Sequence, residues 1–488
     1  MRKRIHFVYD DRAIVPENIA RIVGHRSYGS IVRNRRSLSD WVIGAARVAG
    51  LDCITVLREA SEFDSLCDEI RTDPQHTCYV HFRANGAITN QGDLELLLRK
   101  MGLAEGALFD CQVNPVISGF HDPSDYQKFL SMLETGTEVT TSDFEPAAEI
   151  VLPNDVLVDL SDIAKFLTYF SSGFETRYYN QVEGNDLTVV KRSRDKVKIE
   201  REYRFFGLLP ESMRHWFVQP YNFEEAAQDA SYEMERLEIA DMALIWIHGA
   251  ISPIEFERFV EKIMWFIEQR PTRQIAREEY TATSRRLYVD KVRQRMDDLK
   301  QDALYNTLDA SIGMDPEFEG IEALVAEYEA MFERHARRHP AARMSSVIGH
   351  GDLCFSNILY DKATRIMKFV DPRGALDESE LWTDPAYDIA KLSHSIFGEY
   401  DFINNNLFTI ETDDCLVPRL ASKGPDTSAL RAVFQQSLEA LGYDLYGIRL
   451  REASLFLSML PLHKDDPRKV LGFLLRAADI IEELRCNE

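Results

Sequence analysis

Val347–Gly374 reads VIGHGDLCFSNILYDKATRIMKFVDPRG, and the fold expected of the chain turns on it. Ile358–Tyr360 and Met367–Val370 are short apolar runs joined by the turn Asp361-Lys362-Ala363-Thr364. That pattern predicts a hairpin with Asn357 just before one strand and Asp371 at the end of the other. Such a hairpin brings Asp352, Asn357 and Asp371 to one end of a small sheet. One carboxylate and one amide carbonyl are oxygen ligands suited to Mg²⁺ that keeps waters and bridges substrate phosphates. Asp352 is then left for a different task.

Phosphoryl transfer to an alcohol needs metal ligands at the phosphates, a carboxylate that orients the hydroxyl, and a lysine on the nucleotide. Asp352 lies five positions before Asn357, with His350 two residues ahead, which is the spacing of a kinase catalytic loop. Upstream, Lys191 ends the alternating run Leu187-Thr188-Val189-Val190, where a strand lysine belongs. The helix expected over about Lys196–Leu209 stops at Pro210 and offers Glu202 as the partner of Lys191, with Glu200 as the alternative. The competing reading makes Lys191, Arg192, Arg194, Lys196 and Lys198 a solvated basic face.

HGDLCFSNIL, then FVDPRG, then DPAYDIAKL (Asp384–Leu392) together resemble the aminoglycoside phosphotransferase and choline kinase family over roughly residues 155 to 485. The resemblance implies an α+β, bilobal protein-kinase-like fold with a small antiparallel-sheet N-lobe (155–235) and a mainly helical C-lobe (236–488). Residue by residue it implies Asp352 as the catalytic carboxylate and Asn357 and Asp371 as magnesium ligands. His350 and Asp388 become structural supports of the catalytic loop. ATP and Mg²⁺ are the implied cofactors, with Lys191 and Glu202 at the nucleotide and Ser172 and Gly173 in the phosphate-covering turn Ser171–Thr176. Ser231–Leu237 (SYEMERL) resembles the hinge between lobes, with Met234 and Glu235 near the adenine. His394–Phe408 (HSIFGEYDFINNNLF) is similar to a subgroup associated with bacterial capsule and surface-polysaccharide clusters. In it His394, Tyr400 and Asp401 read either as acceptor contacts or as core and capping groups. Arg373 reads either as a phosphate contact or as half of a surface ion pair.

Around this centre, 488 residues with 45% apolar side chains supply material for roughly three domains. The 57 Lys and Arg against 80 Asp and Glu leave a net charge of −23, which disfavours nucleic acid and anionic membrane surfaces as partners. Whole-chain charge suits a cationic acceptor, yet it does not describe one pocket. No signal peptide or spanning segment is evident, and seven scattered cysteines without a CxxC pair indicate neither disulfides nor zinc. A cytoplasmic protein with a small-molecule acceptor is expected.

Residues 1–140 form a separate α/β domain in this reading, with strands at Ile5–Val8, Asp52–Leu57, Cys78–Phe82 and Leu108–Val113. The polar stretch Gly136–Asp155 marks its end. Val116–Leu133 (VISGFHDPSDYQKFLSML) resembles the close of a sugar-nucleotidyltransferase domain, but Val8 is followed by Tyr9-Asp10-Asp11-Arg12 instead of that family's glycine-rich loop. A non-catalytic or degenerate domain is the expectation, with Asp10 and Asp11 ending a strand in preference to binding a metal. Phe166–Phe170 and Arg177–Val182 read as strands. Helices are expected near Ser284–Ala303, Ile321–Arg338, Asp426–Leu441 and Arg468–Leu484, and after the Ser252-Pro253-x-Glu255 capping box. The reading is a kinase for a small polar metabolite: a sugar, an amino alcohol or a surface-polysaccharide precursor. The alternatives are a pseudokinase scaffold and a bifunctional kinase with a nucleotidyltransferase domain.

Overall fold

The computed structural model describes residues 4–72, 77–103, 106–150, 156–171, 180–184, 187–339 and 344–487. The chain divides into two compact units, Met1–Gly173 and Phe174–Glu488. The first is built on a six-stranded sheet in the order Cys53–Leu57, Arg4–Asp10, Thr77–Arg83, Ile117–Phe120, Ala107–Phe109, Ala147–Glu149. The first three strands are parallel and Ile117–Phe120 runs against both its neighbours. Arg4–Asp10 is central and buried on both faces, which is why Ile5–Tyr9 is a nearly unbroken apolar run. Asp10 closes this strand with an ion pair to Arg12 at 2.7 Å, and Asp11 accepts from the Gly29 backbone N–H at 2.7 Å and from Ser27 Oγ at 2.9 Å. Both carboxylates are engaged in strand-ending contacts.

Three expectations change here. Phe166–Phe170 is not a strand but part of the helix Ile163–Ser171, because Ile163, Phe166, Leu167 and Phe170 recur at helical spacing and present one apolar face. The boundary lies later than Gly136–Asp155: Leu157–Asp159 pairs antiparallel with Gly86–Ile88, and Tyr169 Oη donates to the Ile88 carbonyl at 2.9 Å, so 157–171 belong to the first unit. The strand expected over Leu108–Val113 ends at Phe109, where the Asp110 carboxylate accepts from Ile117 N–H and closes the turn.

The second unit holds a four-stranded antiparallel sheet in the order Asn180–Gly184, Thr188–Ser193, Ala230–Glu235, Pro220–Glu225. The helix Lys196–Leu208 covers it, begun by Asp195 accepting from Lys198 N–H. Val189, Ile199, Tyr232 and Met234 from these elements share one small core with Leu359 of the hairpin Ile358–Tyr360/Met367–Phe369 and with Val370 just after it. The rest is mainly helical. Pro253–Gln269 carries the capping box of Ser252 and Glu255, and Ile321–Arg338, Leu445–Met459 and Pro467–Cys486 pack around Tyr328, Leu450, Phe456 and Phe473.

The helix expected over Ser284–Ala303 is divided into Arg277–Arg285, a π-helical turn Arg286–Asp290, and Lys291–Lys300. Leu287, Tyr288 and Val289 are all buried. The widened turn lies inside the same core as Tyr328 and Phe332. Among the described residues no helix is long and apolar enough to cross a membrane, and all seven cysteines are free.

Candidate active site

Alternation along Thr188–Ser193 turns Val189, Lys191 and Ser193 to the buried face, so a lysine is carried into an apolar layer. Helical spacing turns Ile199, Glu202 and Phe205 inward on Lys196–Leu208. The two meet. Lys191 Nζ lies 2.7 Å from Glu202 Oε2 and 2.7 Å from Asp371 Oδ1, and Tyr232 Oη donates to Glu202 at 3.1 Å. Burial alone would pull the Lys191 ammonium down, but the Asp371 and Glu202 carboxylates outweigh it and hold the group above the ordinary lysine range. Burial, with Asp371 adding to it, pushes the Glu202 carboxyl up against the pull of Lys191. Glu200 instead forms a surface pair with Arg204 at 2.7 Å.

Asp371 has a left-handed backbone, φ 55°, two residues beyond the strand Met367–Phe369, and its carboxylate meets Lys191. Val370 N–H donates to the Asn357 carbonyl at 3.1 Å, which fixes Asn357 beside Asp371. The Asn357 amide NH₂ donates to the Asp352 carbonyl at 2.8 Å, leaving its carbonyl oxygen as the free acceptor end. The donor set fits a hard cation: one amide oxygen, whose group is held by the Asp352 carbonyl, and one carboxylate, held at Oδ1 by Lys191. Among the described residues no group of three His, Cys, Asp or Glu is placed to hold a metal. Phosphate oxygens and water would complete the shell.

The Asp371 segment is also tied to the Glu202 helix. Gly374 has φ 80°, and a Cβ there would come within 2.6 Å of Arg201 C and 2.7 Å of Glu202 N. Ala375 N–H donates to the Arg201 carbonyl at 3.0 Å. Gly374→Ala is therefore expected to push the Lys196–Leu208 helix away and lengthen the Lys191–Glu202 contact. The expected readout is a lowered melting temperature of the second unit and, on the function proposed below, Mg·ATP binding weakened about 10-fold or more by calorimetry.

Asp352 sits on the loop between Ser345–Ile348 and the hairpin. Its Oδ1 is 2.8 Å from Lys391 Nζ. His350 is fully buried, bonded through Nε2 to the Val370 carbonyl at 2.8 Å and through Nδ1 to Asp352 N–H at 3.1 Å, so it bridges the loop to the Asp371 strand. Burial lowers the His350 pKa and keeps the ring neutral, as an acceptor at Nδ1 must be. Beneath it Asp388, on the helix Tyr387–Ile396, accepts from His350 N–H at 2.9 Å and Gly351 N–H at 2.8 Å and pairs with buried Arg270 at 3.1 Å.

The remaining expected residues are distributed as follows. Met234 lines a small cavity with Glu202, Phe205, Tyr232, Phe369 and Asp371. Glu235 is exposed at the end of its strand, in register with Thr188. Ser172 and Gly173 lie outside the described residues. His394 is buried between Tyr400 and Phe456, ring centroids 4.4 and 4.2 Å away, a core position. Sequence reasoning missed Lys391, Arg270 and Tyr232; the one available signal was Lys391 one turn beyond Asp388 on the same helix.

No protein-family model and no curated protein matches the chain. Solved structures do. The chain is similar to a thermostable mutant of the aminoglycoside phosphotransferase APH(4)-Ia, in apo form, with 11% identity and a TM-score of 0.38 over 64% of this chain and 93% of that one. It is similar to spectinomycin phosphotransferase APH(9)-Ia with ADP and spectinomycin, with 10% identity and a TM-score of 0.32 over 64% and 90%. It is likewise similar to a Plasmodium vivax ethanolamine kinase, with 11% identity and a TM-score of 0.32 over 66% and 88%. At such scores these likenesses carry no weight for this chain, whose chemistry is read from its own side chains.

Proposed function

We propose that the second unit is a small-molecule kinase of the protein-kinase-like, bilobal kind, transferring the ATP γ-phosphoryl group to a hydroxyl of a small polar metabolite. The observation that carries this reading is the meeting of Lys191, Glu202 and Asp371 within 2.7 Å contacts. It joins a sheet lysine and a helix glutamate to a hairpin aspartate 180 positions away.

In this reading Lys191, held by Glu202, binds and orients the α and β phosphates. Asn357 and Asp371 would hold Mg²⁺, whose contribution when bound is neutralisation of the phosphate charge. Asp352 accepts a hydrogen bond from the acceptor hydroxyl and aims its oxygen at the γ-phosphorus. As the O–P bond forms, the hydroxyl proton passes to Asp352 and ADP leaves. His350 and Asp388 hold the loop without touching the reactants.

Catalysis of this type is mostly positioning and charge neutralisation, for which rigid, mutually bonded groups are the requirement. The hydrogen-bonded chain Asp388–His350–Val370 and the bond Asn357–Asp352 meet it. The test is an ATP-consumption screen of the full chain with Mg²⁺ against sugars, amino alcohols and surface-polysaccharide precursors, with product mass as readout. An acceptor gaining 80 Da, with ADP formed, supports the proposal. Failure to bind Mg·ATP at all overturns it.

A further inference from the structure

Around Asp352 the charge runs opposite to that of the chain. Tyr387 and Lys391 are one turn apart on the helix Tyr387–Ile396 and so share a face. Lys391 neutralises Asp352 at 2.8 Å. Lys291, the first residue of Lys291–Lys300 in the helical body, places Nζ 3.3 Å from Tyr387 Oη. Arg373 is exposed, and its side chain stands against the loop beside Asp352: a Cβ on Gly351 would lie 2.6 Å from Arg373 Cβ.

No carboxylate among the described residues pairs with Lys291 or Arg373; the Lys291 ammonium meets the Tyr387 ring and hydroxyl. The Tyr387 phenol reports the balance. Burial should raise its pKa, yet Lys291, Lys391 and Arg373 outweigh burial and Asp352 together and lower it. Two positive charges without a carboxylate partner among the described residues thus surround Tyr387, whose helix face also carries the Lys391 that pairs with Asp352, in a protein of net charge −23.

A site for a cationic acceptor needs carboxylates or aromatic faces at that place. This one has surplus ammonium and guanidinium groups. We infer that the acceptor is an alcohol bearing an anionic group, a phosphate or a carboxylate, which Lys291, the Tyr387 hydroxyl and Arg373 hold while Asp352 receives its hydroxyl. This rests on the kinase reading above and narrows it, excluding amino alcohols and aminoglycosides in favour of acidic or already phosphorylated metabolites. A reaction that phosphorylates or oxidises a sugar or polyol must then supply the substrate.

The test uses the full chain with Mg·ATP and matched acceptors: glycerol, glycerol 3-phosphate and glycerate; glucosamine, glucose 6-phosphate and glucuronate; and choline. The phosphate-bearing and carboxylate-bearing members separate the two sources of negative charge. Expected is kcat/KM at least about 10-fold higher for an anionic member than for its neutral or amine counterpart, as one charge-assisted hydrogen bond gives. Lys291→Gln should raise KM for that acceptor about 10-fold with little change in kcat, and Lys291→Arg should restore it in part.

Where turnover is slow, calorimetry with Mg·AMP-PNP present reads the same preference, glycerol 3-phosphate or glycerate binding and choline not. Preference for the neutral or amine member, binding of neither anionic probe, or a Lys291→Gln effect on KM for ATP in place of the acceptor overturns the inference alone. Absence of Mg·ATP binding overturns the kinase reading, and this with it.

Discussion

Asp388→Ala is expected to destabilise the second unit by about 3–5 kcal/mol, the cost of breaking a buried ion pair by removing one partner. Asp388 has no exposed surface and Arg270 is 4% exposed, so the guanidinium would be left charged with neutral partners, the carbonyls of Ile267 and Pro385 and the Tyr443 side chain. The same substitution strips the acceptor from the His350 and Gly351 N–H groups. Each N–H left without an acceptor adds its own desolvation cost. A thermal melt should show the second unit's transition lowered by roughly 10 °C. Asp388→Asn should lose less, since it keeps an acceptor oxygen. A wild-type melt for Asp388→Ala would show that the carboxylate is not what holds the loop.

Asp352→Asn carries the largest expected effect on turnover, about 10²–10⁴-fold, the usual contribution of a positioned proton acceptor. The asparagine has nearly the same shape, and the backbone contacts of position 352 to His350 and Asn357 are retained. Mg·ATP binding should therefore persist while transfer is lost. Lys391 would be left without its carboxylate, so some stability should be lost as well. Asparagine is the better probe than alanine for that reason, since it keeps a polar oxygen facing the ammonium. Near-normal turnover in Asp352→Asn would remove Asp352 from the mechanism.

How much of this was legible in the sequence follows from the range of each interaction. The segment Val347–Gly374 encodes its hairpin locally, in two apolar strands and a polar turn, and the structure has that hairpin in the expected register region. Lys191 and Glu202 could be placed on a strand and a helix by periodicity alone. What periodicity could not decide was whether Glu200 or Glu202 faces inward. That is settled by packing, since Glu202 shares its face with Ile199 and Phe205. The helix Ile163–Ser171 was misread because five aromatic-rich residues taken alone resemble a buried strand; only a window reaching back to Ile163 exposes the 3.6-residue period.

Arg270 and Tyr232 were invisible for a different reason. Each meets its carboxylate across 118 and 30 positions, and no local pattern records such pairs. The cationic surroundings of Asp352 were masked by composition: an acidic chain suggested a cationic acceptor, while Lys291 comes from a segment about 80 positions before Arg373 and 100 before Lys391. Net charge averages over surfaces that never face one another.

Mg·ATP binding by calorimetry, with wild type, Lys191→Met and Asp371→Asn measured side by side, tests the central claim most directly. Wild type should bind only when magnesium is present, and both variants should bind at least about 10-fold more weakly, each having lost one charge at the phosphates. Equal binding by all three, or wild-type binding indifferent to magnesium, would contradict the site described here.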